Sequence, residues 1–101
     1  MNFSEVKSKV IESLIKGAFL HEARSSIDEK NKFAVGDVTK EEVISILQRA
    51  RGNEYKSSPH HFNGNIVVHT VIRKHEGNEW YIKWYFSEPN TVFISVHLSE
   101  E

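Results

Sequence analysis

Five histidines follow residue 59 of this chain, His60, His61, His69, His75 and His97, and around them stand Lys56, Arg73, Tyr81, Lys83 and Tyr85. An unperturbed imidazole titrates at about pH 6.5, so it can take or give a proton near neutrality. Lysine and arginine supply positive charge, and tyrosine rings supply stacking surface. Together these meet the requirements for metal-free cleavage of a ribose phosphodiester. The 2′-hydroxyl loses a proton to a base, the 5′-oxygen gains one from an acid, and a cation stabilises the crowded phosphorane. Single-stranded RNA is also held by aromatic rings on which its bases stack.

These groups need a scaffold that brings them to one surface, and the stretch from Trp80 to Phe86 suggests it. Trp80, Ile82, Trp84 and Phe86 alternate with Tyr81, Lys83 and Tyr85, the period of two that marks a strand. The apolar set is expected to face a core and the polar set the opposite side. Strands are predicted over residues 66–73, 79–87 and 91–98, with a further one over 54–58. The segments 74–78 and 87–90 are short enough to close hairpins. Regular alternation then buries Val92, Ile94, Val96 and Leu98 and leaves Phe93, Ser95 and His97 on the polar side. In the strand from Ile66 it buries Ile66, Val68, Thr70 and Ile72. That turns His69 and Arg73 to the polar side as well, in a register that one bulge would reverse. The expected face gathers His69, Arg73, Tyr81, Lys83, Tyr85 and His97, with Lys56, His60 and His61 arriving from the strand and loop before it.

Ahead of the strands, Phe3, Val6, Val10, Ile11, Leu14 and Ile15 recur at three- and four-residue spacing. This predicts a helix over 4–16, with Ser4 as its cap and Gly17 as its stop. A shorter helical piece is expected over 21–30. Thr39-Lys40-Glu41-Glu42 has the form of a capping box, followed by a stripe of Val43, Ile46, Leu47 and Ala50. A helix therefore runs from it to about residue 51 and stops at Gly52. The expected fold class is α+β: a single domain over 1–101, with helices within about 4–51 packed on one face of an antiparallel sheet. That sheet has three to four strands within about 54–98.

Hydrophobic and charged residues are 39% and 27% of the chain and the net charge is −1. That balance is ordinary for a globular protein and does not by itself predict nucleic-acid or membrane binding. No run approaches the roughly 20 apolar residues of a membrane span. Residues 1–9 lack a basic-then-apolar leader, so a cytoplasmic protein with no membrane partner is expected. There is no cysteine, which excludes disulfides, thiolate nucleophiles and Cys-ligated zinc. His60-His61 raises a metal site. Adjacent histidines point to opposite faces of an extended strand, however, and no carboxylate spacing nearby completes a tetrahedral set, so neither metal nor cofactor is expected. His21 and His75 read as solvated. The other candidates have plainer readings beside the chemical one. Lys83 fits a solvated strand lysine, Tyr81 and Tyr85 fit cross-strand packing, Lys56 fits a guard on an edge strand, and His97 fits an exposed residue near the end of the chain.

The element order, with Glu54-Tyr55-Lys56-Ser57, Tyr81-Ile82-Lys83 and a closing strand over 92–97, resembles the MqsR family of toxins within the wider RelE-like ribonuclease fold. The resemblance covers roughly residues 43–98. It implies the toxin of a bacterial type II toxin–antitoxin pair, an mRNA interferase that cleaves single-stranded mRNA to a 2′,3′-cyclic phosphate and a 5′-hydroxyl. It also implies a cognate antitoxin protein as partner. Carried over by position, Lys56 is the lysine of the family's Tyr-Lys-Ser segment and Tyr81 the phenol of its Tyr-x-Lys strand. His69 stands where the family usually has glutamine, and His97 about where it has lysine. The implied catalytic set is Lys56, His69, Tyr81, Lys83 and His97, with one of the two histidines as base and the other as acid. Arg73, Tyr85, His60 and His61 are expected to bind substrate. A second resemblance, of His21-Glu22-Ala23-Arg24 and the segment 37–43, is to small bacterial domains with a His-x-Ala-Arg helix and a Thr-x-Glu-Glu-Val helix; it implies the fold more than an activity. The alternative to an enzyme is a non-catalytic module of this fold that presents its aromatic face or sheet edge to a protein, which the slightly acidic balance favours.

Overall fold

The computed structural model of this protein describes residues 1–23 and 27–99. Its elements follow in the order α1 (Phe3–Lys16), β1 (Phe19–His21), α2 (Ile27–Lys30), α3 (Lys40–Arg49), a 3-10 turn (Gly52–Glu54), β2 (Tyr55–Pro59), β3 (Val67–His75), β4 (Asn78–Ser87) and β5 (Asn90–Leu98). Asn2, rather than Ser4, caps α1: its side chain accepts from the Glu5 N–H at 2.9 Å while the Glu5 carboxylate accepts from the Asn2 N–H. Gly17 closes the helix at φ 75°, a left-handed conformation that glycine adopts without a steric penalty. Thr39 and Glu42 form the reciprocal cap of α3 that the sequence predicts.

The apolar stripes of the two helices, Val6, Val10 and Leu14 on α1 and Val43, Ile46 and Leu47 on α3, are fully buried. They share one core cluster with Val71, Ile82, Trp84, Phe93 and Val96 of the sheet. The α+β class holds, and an N-terminal helix followed by a mainly C-terminal sheet fits the expected order broadly. The sheet, however, has five strands in the order β1-β5-β4-β3-β2 and is mixed: β1 runs parallel to β5, and the other pairs are antiparallel. The added strand lies mostly ahead of the region expected to be a second helix and meets it at His21; within that region the four residues of α2 are helical, and residues 24–26 lie outside the described chain. Aromatic packing accounts for the change. Phe19 and His21 of β1 close on Phe33 and Phe93 at centroid distances of 5.0 to 6.2 Å, a burial that the thin local helix signal does not match. His21 is therefore not solvated. Its Nδ1 lies 3.0 Å from Nδ2 of the fully buried Asn31, and burial lowers its pKa.

The register of β4 follows the alternation, with Ile82 and Trp84 in the core. That of β3 is reversed. His69, Val71 and Arg73 pair with Trp84, Ile82 and Trp80 and so lie on the helix side of the sheet, while Val68, Thr70 and Ile72 face away from it opposite Tyr85, Lys83 and Tyr81. In β5 the pairing slips between Lys83 and Trp84. Ile94 is the extra residue, and beyond it Phe93 rather than Val92 enters the core. Among the described residues no helix is long and apolar enough to cross a membrane.

Candidate functional site

Cross-strand partners share a face, so the register defines what the side of the sheet opposite α1 and α3 carries. One row across it is Lys56, Thr70, Lys83 and Ser95; a second is Ile72, Tyr81 and His97; a third is Ser58, Val68, Tyr85, Val92 and Leu20. Lys56, Tyr81, Lys83, Tyr85 and His97 thus share this distal face, as expected. The Tyr81 and His97 rings stack at 5.1 Å and 14°. Lys83 is the diagonal neighbour of His97, roughly 7–8 Å away by sheet geometry.

His97 Nδ1 lies 2.7 Å from the Leu98 carbonyl. A carbonyl only accepts, so in the neutral ring Nδ1 carries the proton and Nε2 keeps the lone pair. This is the tautomer of a general base.

At the Tyr85 end of the face, residues 60–65 fold over the sheet and frame a cleft of about 610 Å³, lined by Glu22, His60, His61, Phe62, Val68, Lys83 and Ile94 among others. His60 sets its ring edge-on to Tyr85 at 5.3 Å. Its Nδ1 accepts the Phe62 N–H at 3.1 Å, so its Nε2 bears the proton of the neutral ring and donates to Glu22 Oε2 at 3.3 Å. Both nitrogens of His60 are thus engaged, which suits a positioning role better than that of a base. Burial, then the charge of and hydrogen bond with Glu22, raise the Tyr85 pKa and keep its phenol protonated. His61 meets Phe62 edge to face at 4.8 Å, and Phe62 is 86% exposed.

His69 and Arg73 are not part of this face. The His69 ring is buried on the helix side between Trp84 and Phe86, with Nδ1 2.7 Å from the Tyr55 hydroxyl. Burial first, then the positive charges of Lys9 and the N-terminal amine, lower its pKa, so it is a neutral core histidine. Arg73 donates from a terminal guanidinium nitrogen to Glu54 Oε1 at 2.8 Å and ties β3 to the 3-10 turn. The sheet separates His69 from His97, so the expected acid–base pair across one phosphate does not form. The reason lies in residues 67–72, which are apolar or β-branched at every position but one and would bury in either register; pairing to Ile82 and Trp84 decides.

Sequence reasoning passed over Glu22 and Phe62. Glu22 stands 38 residues from His60 in a segment expected to be helical, and no local signal marks it. Phe62 left a trace, a lone aromatic in a polar loop bounded by Pro59 and Gly64. Among the described residues no three His, Asp or Glu side chains converge to hold a metal ion. Comparison with protein-family models, with characterised proteins and with solved structures finds no match to this chain.

Proposed function

We propose that this protein is a metal-independent endoribonuclease with a RelE-like fold that binds single-stranded RNA on the distal face, the toxin of a type II pair whose antitoxin covers that face. The observation that carries the reading is His97: its Nδ1 is tied to the Leu98 carbonyl, its Nε2 is left basic, and Lys83 lies diagonally beside it. His97 Nε2 takes the proton of the 2′-hydroxyl, whose oxygen attacks phosphorus. Lys83 stabilises the phosphorane charge, and the Tyr81 phenol, stacked on His97, gives a proton to the departing 5′-oxygen. The products are a 2′,3′-cyclic phosphate and a 5′-hydroxyl, and solvent returns the proton from His97 to Tyr81. Lys56, in the same row as Lys83, holds a neighbouring phosphate. His69 and Arg73 have no part in these steps.

The test is cleavage of single-stranded RNA by purified protein in the presence of a chelator. His97→Ala and Lys83→Ala are expected to slow it by roughly 10²–10⁴-fold, the range for a lost acid–base group, whereas His69→Gln leaves it unchanged. Intact RNA after incubation with folded wild-type protein sinks the enzymatic reading. A second reading, a non-catalytic module for a protein partner, is favoured by the net charge of −1 and by the three-residue edge strand β1, where Leu20 is half exposed. Pull-down of a partner that contacts β1, with no RNA cleaved, favours it over the first.

A further inference from the structure

The cleft beside Lys83 is built differently from the cationic row that adjoins it. Its polar centre is a carboxylate, its floor is apolar at Val68 and Ile94, and an exposed phenyl ring stands at its rim. A volume of about 610 Å³ suits a small planar ligand, since such sites run to roughly 300–1,000 Å³. We propose that this cleft is a guanine-reading subsite, in which Phe62 stacks on the base and the Glu22 carboxylate accepts hydrogen bonds from its Watson–Crick edge. The inference rests on the reading of the distal face as an RNA surface and names what that surface selects.

The chemistry of Glu22 picks the base. A carboxylate offers two parallel acceptors, and guanine presents two adjacent donors, N1–H and the N2 amino group. Adenine and cytosine set one amino group beside a ring nitrogen whose lone pair repels the second oxygen. Uracil sets a single N3–H between two carbonyls. The hydrogen bond from His60 Nε2 to Glu22 Oε2 at 3.3 Å holds the carboxylate in place, and a carboxylate has more acceptor sites than this one bond uses. The loop that carries Phe62 is coupled to the same network. The Phe62 N–H donates to His60 Nδ1, and hydrogen bonds from His60 N–H to the Ile66 carbonyl and from Ile66 N–H to the Asn63 carbonyl close the loop. The backbone that carries Phe62 and the Glu22 carboxylate are therefore tied into one network before any base arrives, which reduces the entropy lost on binding. Lys83 lines the cleft and also stands beside His97, so the base read here belongs to a nucleotide next to the cleaved phosphate.

The experiment uses single-stranded oligoribonucleotides methylated at every 2′-hydroxyl, which cannot be cleaved by 2′-attack. Each is a uridine tract with one central guanosine, adenosine, cytidine or uridine, and binding to the full-length protein is read by fluorescence anisotropy. The guanosine probe is expected to bind about tenfold tighter than the others, the size of one good edge contact. Glu22→Gln, which keeps side-chain shape, is expected to erase that preference, and Phe62→Ala to weaken the guanosine probe about tenfold by loss of stacking. Thermal melting establishes that both variants fold. Equal binding of the four probes, or a guanosine preference that survives both substitutions, overturns the proposal. Failure to bind any probe overturns it together with the RNA reading. Guanosine-selective binding without cleavage of unmethylated RNA upholds the subsite and removes the endonuclease activity alone.

Discussion

Replacing His69 by glutamine is expected to remove part of the pH dependence of folding while leaving the distal face intact. His69 is 6% exposed, its ring hydrogen-bonded to Tyr55 at 2.7 Å and held below its ordinary pKa by burial and by the charges of Lys9 and the N-terminal amine. In the unfolded chain it titrates at about pH 6.5. Between the lowered folded value and that one, the unfolded state binds a proton that the folded state does not. Its contribution to stability is therefore complete above about pH 6.5 and is lost as the pH falls below it. One such histidine gives a slope of at most about 1.4 kcal/mol per pH unit. His21, also lowered by burial, contributes to the wild-type slope with the same sign. Urea unfolding at several values between about pH 5.5 and 7 measures this slope, and His69→Gln is expected to reduce it. The companion change Tyr55→Phe keeps the stack on Phe3, at 4.7 Å and 20°, and removes only the hydroxyl. It is expected to cost about 1–3 kcal/mol near neutral pH, because a buried imidazole nitrogen loses its partner. A His69→Gln slope equal to the wild type's, or a Tyr55→Phe variant of unchanged stability, refutes the assignment of His69 to the core.

Phe93→Ala is expected to cost about 3–5 kcal/mol in urea unfolding, because the bulge places this ring in the core against Phe19 and Phe33. A cost below about 1 kcal/mol would mean that β5 alternates without interruption. Thr39→Ala is expected to cost about 1 kcal/mol of stability through loss of the α3 capping box, read as a lower midpoint of thermal melting; an unchanged midpoint would show that tertiary packing alone holds the start of that helix.

Part of this structure is set by neighbours in the chain. The stripes Val6-Val10-Leu14 and Val43-Ile46-Leu47, the box from Thr39 to Glu42, and the alternation of Trp80, Ile82 and Trp84 each carry their signal within a few residues, and each appears as read. Lys56, Tyr81, Lys83, Tyr85 and His97 came to one face because Lys56 pairs with Thr70 and the other four lie where alternation in β4 and the upper part of β5 is unbroken. Contacts between distant segments set the rest. Residues 67–72 are compatible with burial in either register, so only pairing to Trp84 and Ile82 assigned His69 to the core and split it from His97. The extra residue Ile94 exchanged Phe93 for Val92, and a parallel pairing over more than 70 residues made a strand of Phe19–His21. The contact of Glu22 with His60 spans 38 residues. Local periodicity records which side chains alternate, but contacts between distant segments form wherever they bury the most surface, and that choice is a property of the whole fold.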